Sequence, residues 1–291
     1  TSQIDLDINN IRARLLAGGD FWWDLQNAKY EVPAGSGKHS VFAGSIWVGG
    51  LSDNNTLKVA AMTYRQTGND FWPGPLDLNK TIYNPDTGQE EQNPDYGLTN
   101  IEICSDYDEH FKVRLSEVAE FQVNCLNPND APEGYAVPSS ILKWPGNGVD
   151  GELSYMLAPY VDVNSDGIYN PSDCDYPAYD LVGGSVCGED DMLFGDETIF
   201  WVYNDRGNTH TESGAEAIGV EIRAQAFGFA TGNEINDMTF YNYRITKRSE
   251  GALNSTFFGT WVDSDVGSHL DDYVGCDVQR GLGFTYNGDE N

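Results

Sequence analysis

Asp162, Asn164 and Asp166 stand at alternate positions of the stretch DVNSDGIYNPSDCD, followed by Gly167, Ile168 and, further on, Asp173. In a twelve-residue loop these are positions 1, 3, 5, 6, 7 and 12, the spacing of an EF-hand calcium loop with Asp in place of the terminal bidentate Glu. A hard dication takes six to eight oxygens. Alternate side chains of one short loop converge on a point only where the backbone turns sharply, and Gly167 permits that turn. The expected ligands for Ca2+ are the side chains of Asp162, Asn164, Asp166 and Asp173 with the Ile168 carbonyl, and Asp175 is a candidate outer partner. Pro159 upstream and Pro171 inside the loop disfavour flanking helices, so the expectation is a lone structural loop of the dockerin or thrombospondin type 3 kind. The competing reading is a turn rich in Asp and Asn that folds on its own hydrogen bonds without metal.

A second acidic group, Asp263, Asp265, Asp271, Asp272 and Asp277 around Gly267, has the residue types for a further metal site but follows no fixed spacing. Glu189, Asp190 and Asp191 with Asp196 form a third, weaker group. Trp22, Trp23 and Trp72 each adjoin an Asp within two residues, a combination that suits stacking on sugar rings, and they form a candidate glycan platform. Core packing is the competing use of the same rings, because aromatic side chains dominate buried area in β proteins.

Other chemistries lack their motifs. Ala34-Gly35-Ser36-Gly37-Lys38 fails as a phosphate loop because Val32 stands where the first Gly is required and His39 follows the Lys. His39, His110, His210 and His269 are dispersed with no HExxH, and no GxSxG occurs. Two carboxylates of a polysaccharide-acting enzyme need only meet in space, and sequence does not test that.

The elements that must position these residues are mostly strands. HSVFAGSIWVGG and LKVAAMTY, separated by Ser52-Asp53-Asn54-Asn55, predict a hairpin. After residue 196, TIFWVYN, IGVEIRAQAFGFA, MTFYNYRITKR and STFFGTWVDS predict four long strands, with Ile218, Val220, Ile222, Ala224 and Ala226 on one face. Ile8, Ile11, Leu15 and Leu16 predict a short helix over 8–17. Ser105 to Asp108 match a capping box ahead of a second helix, and a third is expected around 116–121. The fold class expected is mainly β, an antiparallel sandwich or jelly roll with a few short helices and long Gly/Pro/Asn-rich loops. Three regions are expected, able to pack as one unit: 1–126, a connection at 127–195 with the calcium loop, and a strand-rich 196–291.

Sixteen basic against 46 acidic residues give a net charge of −30. That surplus repels nucleic acid and anionic membranes and favours cation uptake. No apolar run is long enough to span a membrane, and a chain opening at Thr1 without an apolar leader is expected to have lost its signal peptide. Five scattered cysteines without a CxxC zinc pattern predict disulfides, with Cys174–Cys187 and Cys104–Cys125 as first pairings and Cys276 left over.

Five segments taken together, NNIRARLLAGGDFWWDL, YEVPAGSGKHSVFAGSIWVGG, RQTGNDFWPGPLD, DVNSDGIYNPSDCDYP and DDYVGCDVQRGLGFTYNGD, resemble the N-terminal part of large surface proteins secreted by Bacteroidota that carry a C-terminal type IX sorting domain. The resemblance implies export across the outer membrane, a cell-surface or released location, and a longer parent chain with further β-domains. It supplies no catalytic residues. The expected function is that of a secreted, calcium-stabilised structural or adhesive surface protein, with a carbohydrate-binding module or a polysaccharide-acting enzyme component as alternatives. Expected partners are type IX secretion or surface-assembly components, glycans, or copies of the chain itself.

Overall fold

The computed structural model describes residues 1–65, 68–93, 96–129, 131–181 and 192–288. The chain begins with β1 (Gln3–Leu6), β2 (Arg12–Leu16), β3 (Asp20–Phe21) and β4 (Tyr30–Glu31), followed by the long β5 (His39–Ser52) and β6 (Leu57–Ala60). Next come β7 (Trp72–Pro73), the hairpin β8 (Thr81–Asn84) and β9 (Gln89–Gln92), α1 (Ile101–Asp106), β10 (Phe111–Arg114), α2 (Leu115–Leu126) and α3 (Ser139–Leu142). A two-residue ladder, β11 (Tyr160–Val161) with β12 (Tyr176–Pro177), precedes β13 (Glu197–Asn204), β14 (Val220–Gly228), β15 (Phe240–Lys247) and β16 (Leu253–Ser264). β17 (Asp272–Asp277) and β18 (Leu282–Asn287) form a final hairpin.

The protein is mainly β, built as two antiparallel sheets laid face to face. The first runs β1-β2-β3-β5-β16, with β4 and β6 also on β5; the second runs β10-β13-β14-β15, with β7 also on β13. The interface between them joins Leu6, Leu15, Phe21, Val48 and Ala60 of the first sheet to Ile199, Trp201, Tyr203, Ile222 and Ala224 of the second. The expected face of Ile218, Val220, Ile222, Ala224 and Ala226 lies wholly in this interface. The four strands expected after residue 196 and the hairpin of β5 with β6 are all present, Asn55 taking the left-handed conformation (φ 58°) in the turn.

Both sheets draw on distant parts of the chain. β16 pairs with β5 from Leu253↔Ser52 to Ser264↔Val41, and β10 pairs with β13. A third layer covers the outer face of the second sheet. Val118 and Phe121 of α2, Ile141, Trp144, Leu157, Tyr176 and Tyr179 pack there against Phe200 and Val202, so β13 is buried on both sides. That burial explains its nearly unbroken apolar run. It also explains why Glu221, on the side of β14 expected to face solvent, is fully buried: it accepts from the Leu76 amide and pairs with Arg223 and Arg248.

Two helix expectations are corrected. Residues 8–17 contain a strand, because Ile11, Ala13 and Leu15 alternate inward while Arg12 and Arg14 on the other face meet Glu31 and Asp5 of neighbouring strands at 3.2 and 2.5 Å. A period of two and a period of 3.6 are both present in that short segment, and cross-strand pairing selected the first. Ser105 lies in the last turn of the first helix rather than at its start: Asn100 caps α1 by accepting from the Ile103 amide, and the chain beyond it enters β10. The expected helix at 116–121 is present inside α2.

His110 is buried beside Trp201, with Ser2 Oγ at 3.3 Å from its Nδ1. Burial pushes its imidazole down to about 3 from the ordinary 6.5, against the opposing pull of Asp108. The unfolded chain therefore binds the extra proton at higher pH than the folded one, and stability falls as the pH drops below about 6.5. Between pH 7 and 5 this group accounts for a loss of about 2 kcal/mol. Urea titrations of the wild type and of His110→Phe at the two pH values check it: the variant should lose that much less.

Candidate calcium loop

The loop 162–175 is the connection of a small hairpin. β11 and β12 pair Tyr160↔Pro177 and Val161↔Tyr176 at its base, so no helix flanks it. Asp162 organises the turn: Oδ1 accepts from the amides of Ser165 (2.7 Å) and Asp166 (3.3 Å), and Oδ2 from that of Gly167 (2.8 Å). Asn164 Oδ1 accepts from the Asp166 amide, and Asp166 Oδ1 from the Ile168 amide. Gly167 takes φ +81° and Ser165 +61°, the left-handed geometry the turn requires. Asp173 lies in a short 3-10 turn capped by Asn170, whose Nδ2 donates to Asp173 Oδ2 at 2.7 Å.

Asp175 has a different place from that expected of an outer partner. It is fully buried, and its two oxygens accept from the amides of Val163 (2.8 Å) and Asn170 (2.9 Å), tying the two ends of the loop to one carboxylate. Asn147 braces the far side, accepting from the Tyr169 amide at 2.5 Å and donating to the Gly167 carbonyl. Tyr169 packs edge-on against Tyr160 and donates to the Ile141 carbonyl. Sequence spacing did not single out Asn147; Asn170, three residues before Asp173, was legible as a further oxygen in the loop.

The donor set fits a calcium ion. Asp162, Asp166 and Asp173 are three carboxylates with oxygen chemistry only, and Asn164, Asn170 and the Ile168 carbonyl add neutral oxygens. Each carboxylate accepts about four hydrogen bonds, and the amides do not use them all. Among the described residues, no three His, Cys, Asp or Glu side chains are gathered closely enough to hold a metal by themselves.

The disulfide expectation is corrected at this loop. Cys174, in the left-handed conformation at the end of the 3-10 turn, is bonded to Cys125 near the end of α2, 49 residues away. It is not bonded to Cys187, which with Glu189, Asp190 and Asp191 lies outside the described residues. Cys104 remains a thiol, as does Cys276. β10 and most of α2 separate Cys104 from Cys125, and the helix carries Cys125 about 15 Å along its axis, to the loop.

The second acidic group is only partly drawn together. Asp263 accepts a hydrogen bond from the Tyr64 hydroxyl and, with Asp265, lines a cavity. Asp272 accepts from the Val266 amide, Asp271 adjoins it at the start of β17, and Asp277 pairs with Arg280. The three tryptophans do not share a platform. Trp22 donates to the Tyr241 hydroxyl at 2.7 Å and packs on Phe21; Trp23, 1% exposed, donates to Asp20; Trp72 pairs with Asn204 through β7 and lays its side chain over Gly207. Among the described residues no helix is long and apolar enough to cross a membrane. No family model matches the chain, and comparison with curated proteins and with solved structures found no match.

Proposed function

We propose that this chain is a calcium-stabilised structural or adhesive protein of the cell surface or extracellular space, with Asp162, Asn164, Asp166, Ile168, Asn170 and Asp173 holding the ion. The observation that carries the reading is the loop 162–175: an EF-hand spacing on a hairpin, closed by Asp175 and pinned by Cys125–Cys174. A disulfide supports an oxidising compartment, and a net charge of −30 supports cation uptake. The ion would supply positive charge to a loop that carries three carboxylates, Asp162, Asp166 and Asp173. The protein's own residues shape the turn, close its ends and brace it on the third layer.

With no flanking helices to open and close, the loop has no lever for a switch, and its role is to order the chain between α3 and β13. Surface-assembly or secretion components, or further copies of the chain, are the partners this reading favours. An ion bound at about one hundred times its dissociation constant stabilises by about 2.7 kcal/mol. EDTA is therefore expected to lower the melting temperature by about 5 °C or more at millimolar calcium. Asp166→Ala should reproduce that drop and abolish the response to chelator. A melting temperature indifferent to EDTA, with no calcorimetric calcium binding, would sink the reading.

A further inference from the structure

A cavity of about 540 Å³ opens beside β5 and β16 of the first sheet, sharing no residue with the loop 162–175, with Trp23, Phe42 and Tyr64 among its walls and Asp263, Asp265 and His269 at its side. The three rings stand at steep angles to one another. Trp23 and Tyr64 meet at 78° with centroids 5.8 Å apart, Phe42 and Tyr64 at 70° and 5.9 Å, and Trp23 and Phe42 at 41° and 6.3 Å. Trp261 backs Tyr64 at 89°. Trp23 is held by its indole N–H on Asp20, and Tyr64 donates to Asp263, so two walls are fixed by hydrogen bonds.

We propose that this cavity binds an organic ammonium ion, a quaternary or methylated amine. Phe42 and Tyr64, set at 70° beside one space with the buried Trp23 behind them, form an aromatic corner whose electron-rich ring faces suit a compact cation with an apolar shell. The carboxylates of Asp263 and Asp265 supply the countercharge. A sugar is disfavoured because pyranose stacking needs one open flat ring, and Phe42 and Tyr64 stand edge to face at 70°. A bare metal ion is disfavoured because, among the described residues, no three His, Cys, Asp or Glu side chains are gathered closely enough to hold one, and Asp263 already accepts from Tyr64. The inference is independent of calcium at 162–175.

The test is a calorimetric titration of the whole chain with choline and with 3,3-dimethylbutan-1-ol, the neutral carbon counterpart of choline. Choline should bind at least about tenfold more tightly than the alcohol. Phe42→Ala and Asp265→Asn should each weaken choline about fivefold or more. If Phe42→Ala fails to fold, Asp265→Asn, with its melting temperature recorded, decides alone. Equal affinity for choline and the alcohol would overturn the proposal, as would the absence of choline binding, an affinity unaffected by Asp265→Asn, or titration of glucose but not choline into the wild type.

Discussion

Asp205→Ala is expected to destabilise the protein by about 4 kcal/mol, because a single buried carboxylate satisfies the turn that leads into β14. Its oxygens accept from the amides of Ile218 (2.6 Å), Gly219 (2.9 Å) and Val220 (2.7 Å), and the residue is fully buried. Removal leaves three donors without water or partner, each costing about 1 to 3 kcal/mol. The same place holds His210, whose ring nitrogens lie 2.6 Å from the Val59 carbonyl and 2.8 Å from that of Asp205. The Val59 contact links the turn to β6 of the other sheet. Asp205→Asn keeps the shape and one acceptor oxygen, so it should cost roughly half as much. Urea unfolding at neutral pH reads both, and a midpoint for Asp205→Ala within about 0.5 kcal/mol of wild type would contradict the assignment.

Loss of the Cys125–Cys174 bond is expected to cost a similar amount. The bond closes a loop of 49 residues, and the chain-entropy relation gives about 4 kcal/mol for a closure of that length. The paired Ser variants, Cys125→Ser with Cys174→Ser, test it without leaving a free thiol. Their denaturation midpoint should fall and the slope rise, because the unfolded chain loses its constraint, whereas Cys104→Ser should leave both near wild type, since that thiol is unbridged. Because Cys174 follows Asp173 and precedes Asp175, the same variants should weaken calcium at the loop. A midpoint unmoved by the double substitution would mean the bond does not constrain the unfolded chain.

What the sequence determined by itself was local. Alternation fixed which face of β14 is apolar, a polar Asn-containing turn fixed the hairpin of β5 with β6, and the types and order of residues 162–173 fixed a turn lined with oxygens. Each of these depends on residues a few positions apart, whose directions follow from backbone geometry. Where two local periods competed, as at Ile11 to Leu16, only the neighbouring strand decided, through Asp5 and Glu31 opposite the two arginines.

The remaining features came from tertiary structure, because their partners are distant in sequence. β16 joins β5 from some two hundred residues away, and Cys125 reaches Cys174 because α2 is laid over the second sheet. The fate of polar residues was decided the same way. Glu221 and Asp205 are charged, yet a third layer and a folded turn bury them and supply their partners. Even in the loop 162–175 the division holds: spacing gave the oxygens, while Asp175 became the internal tie and Asn147 the brace only when the hairpin closed against the third layer.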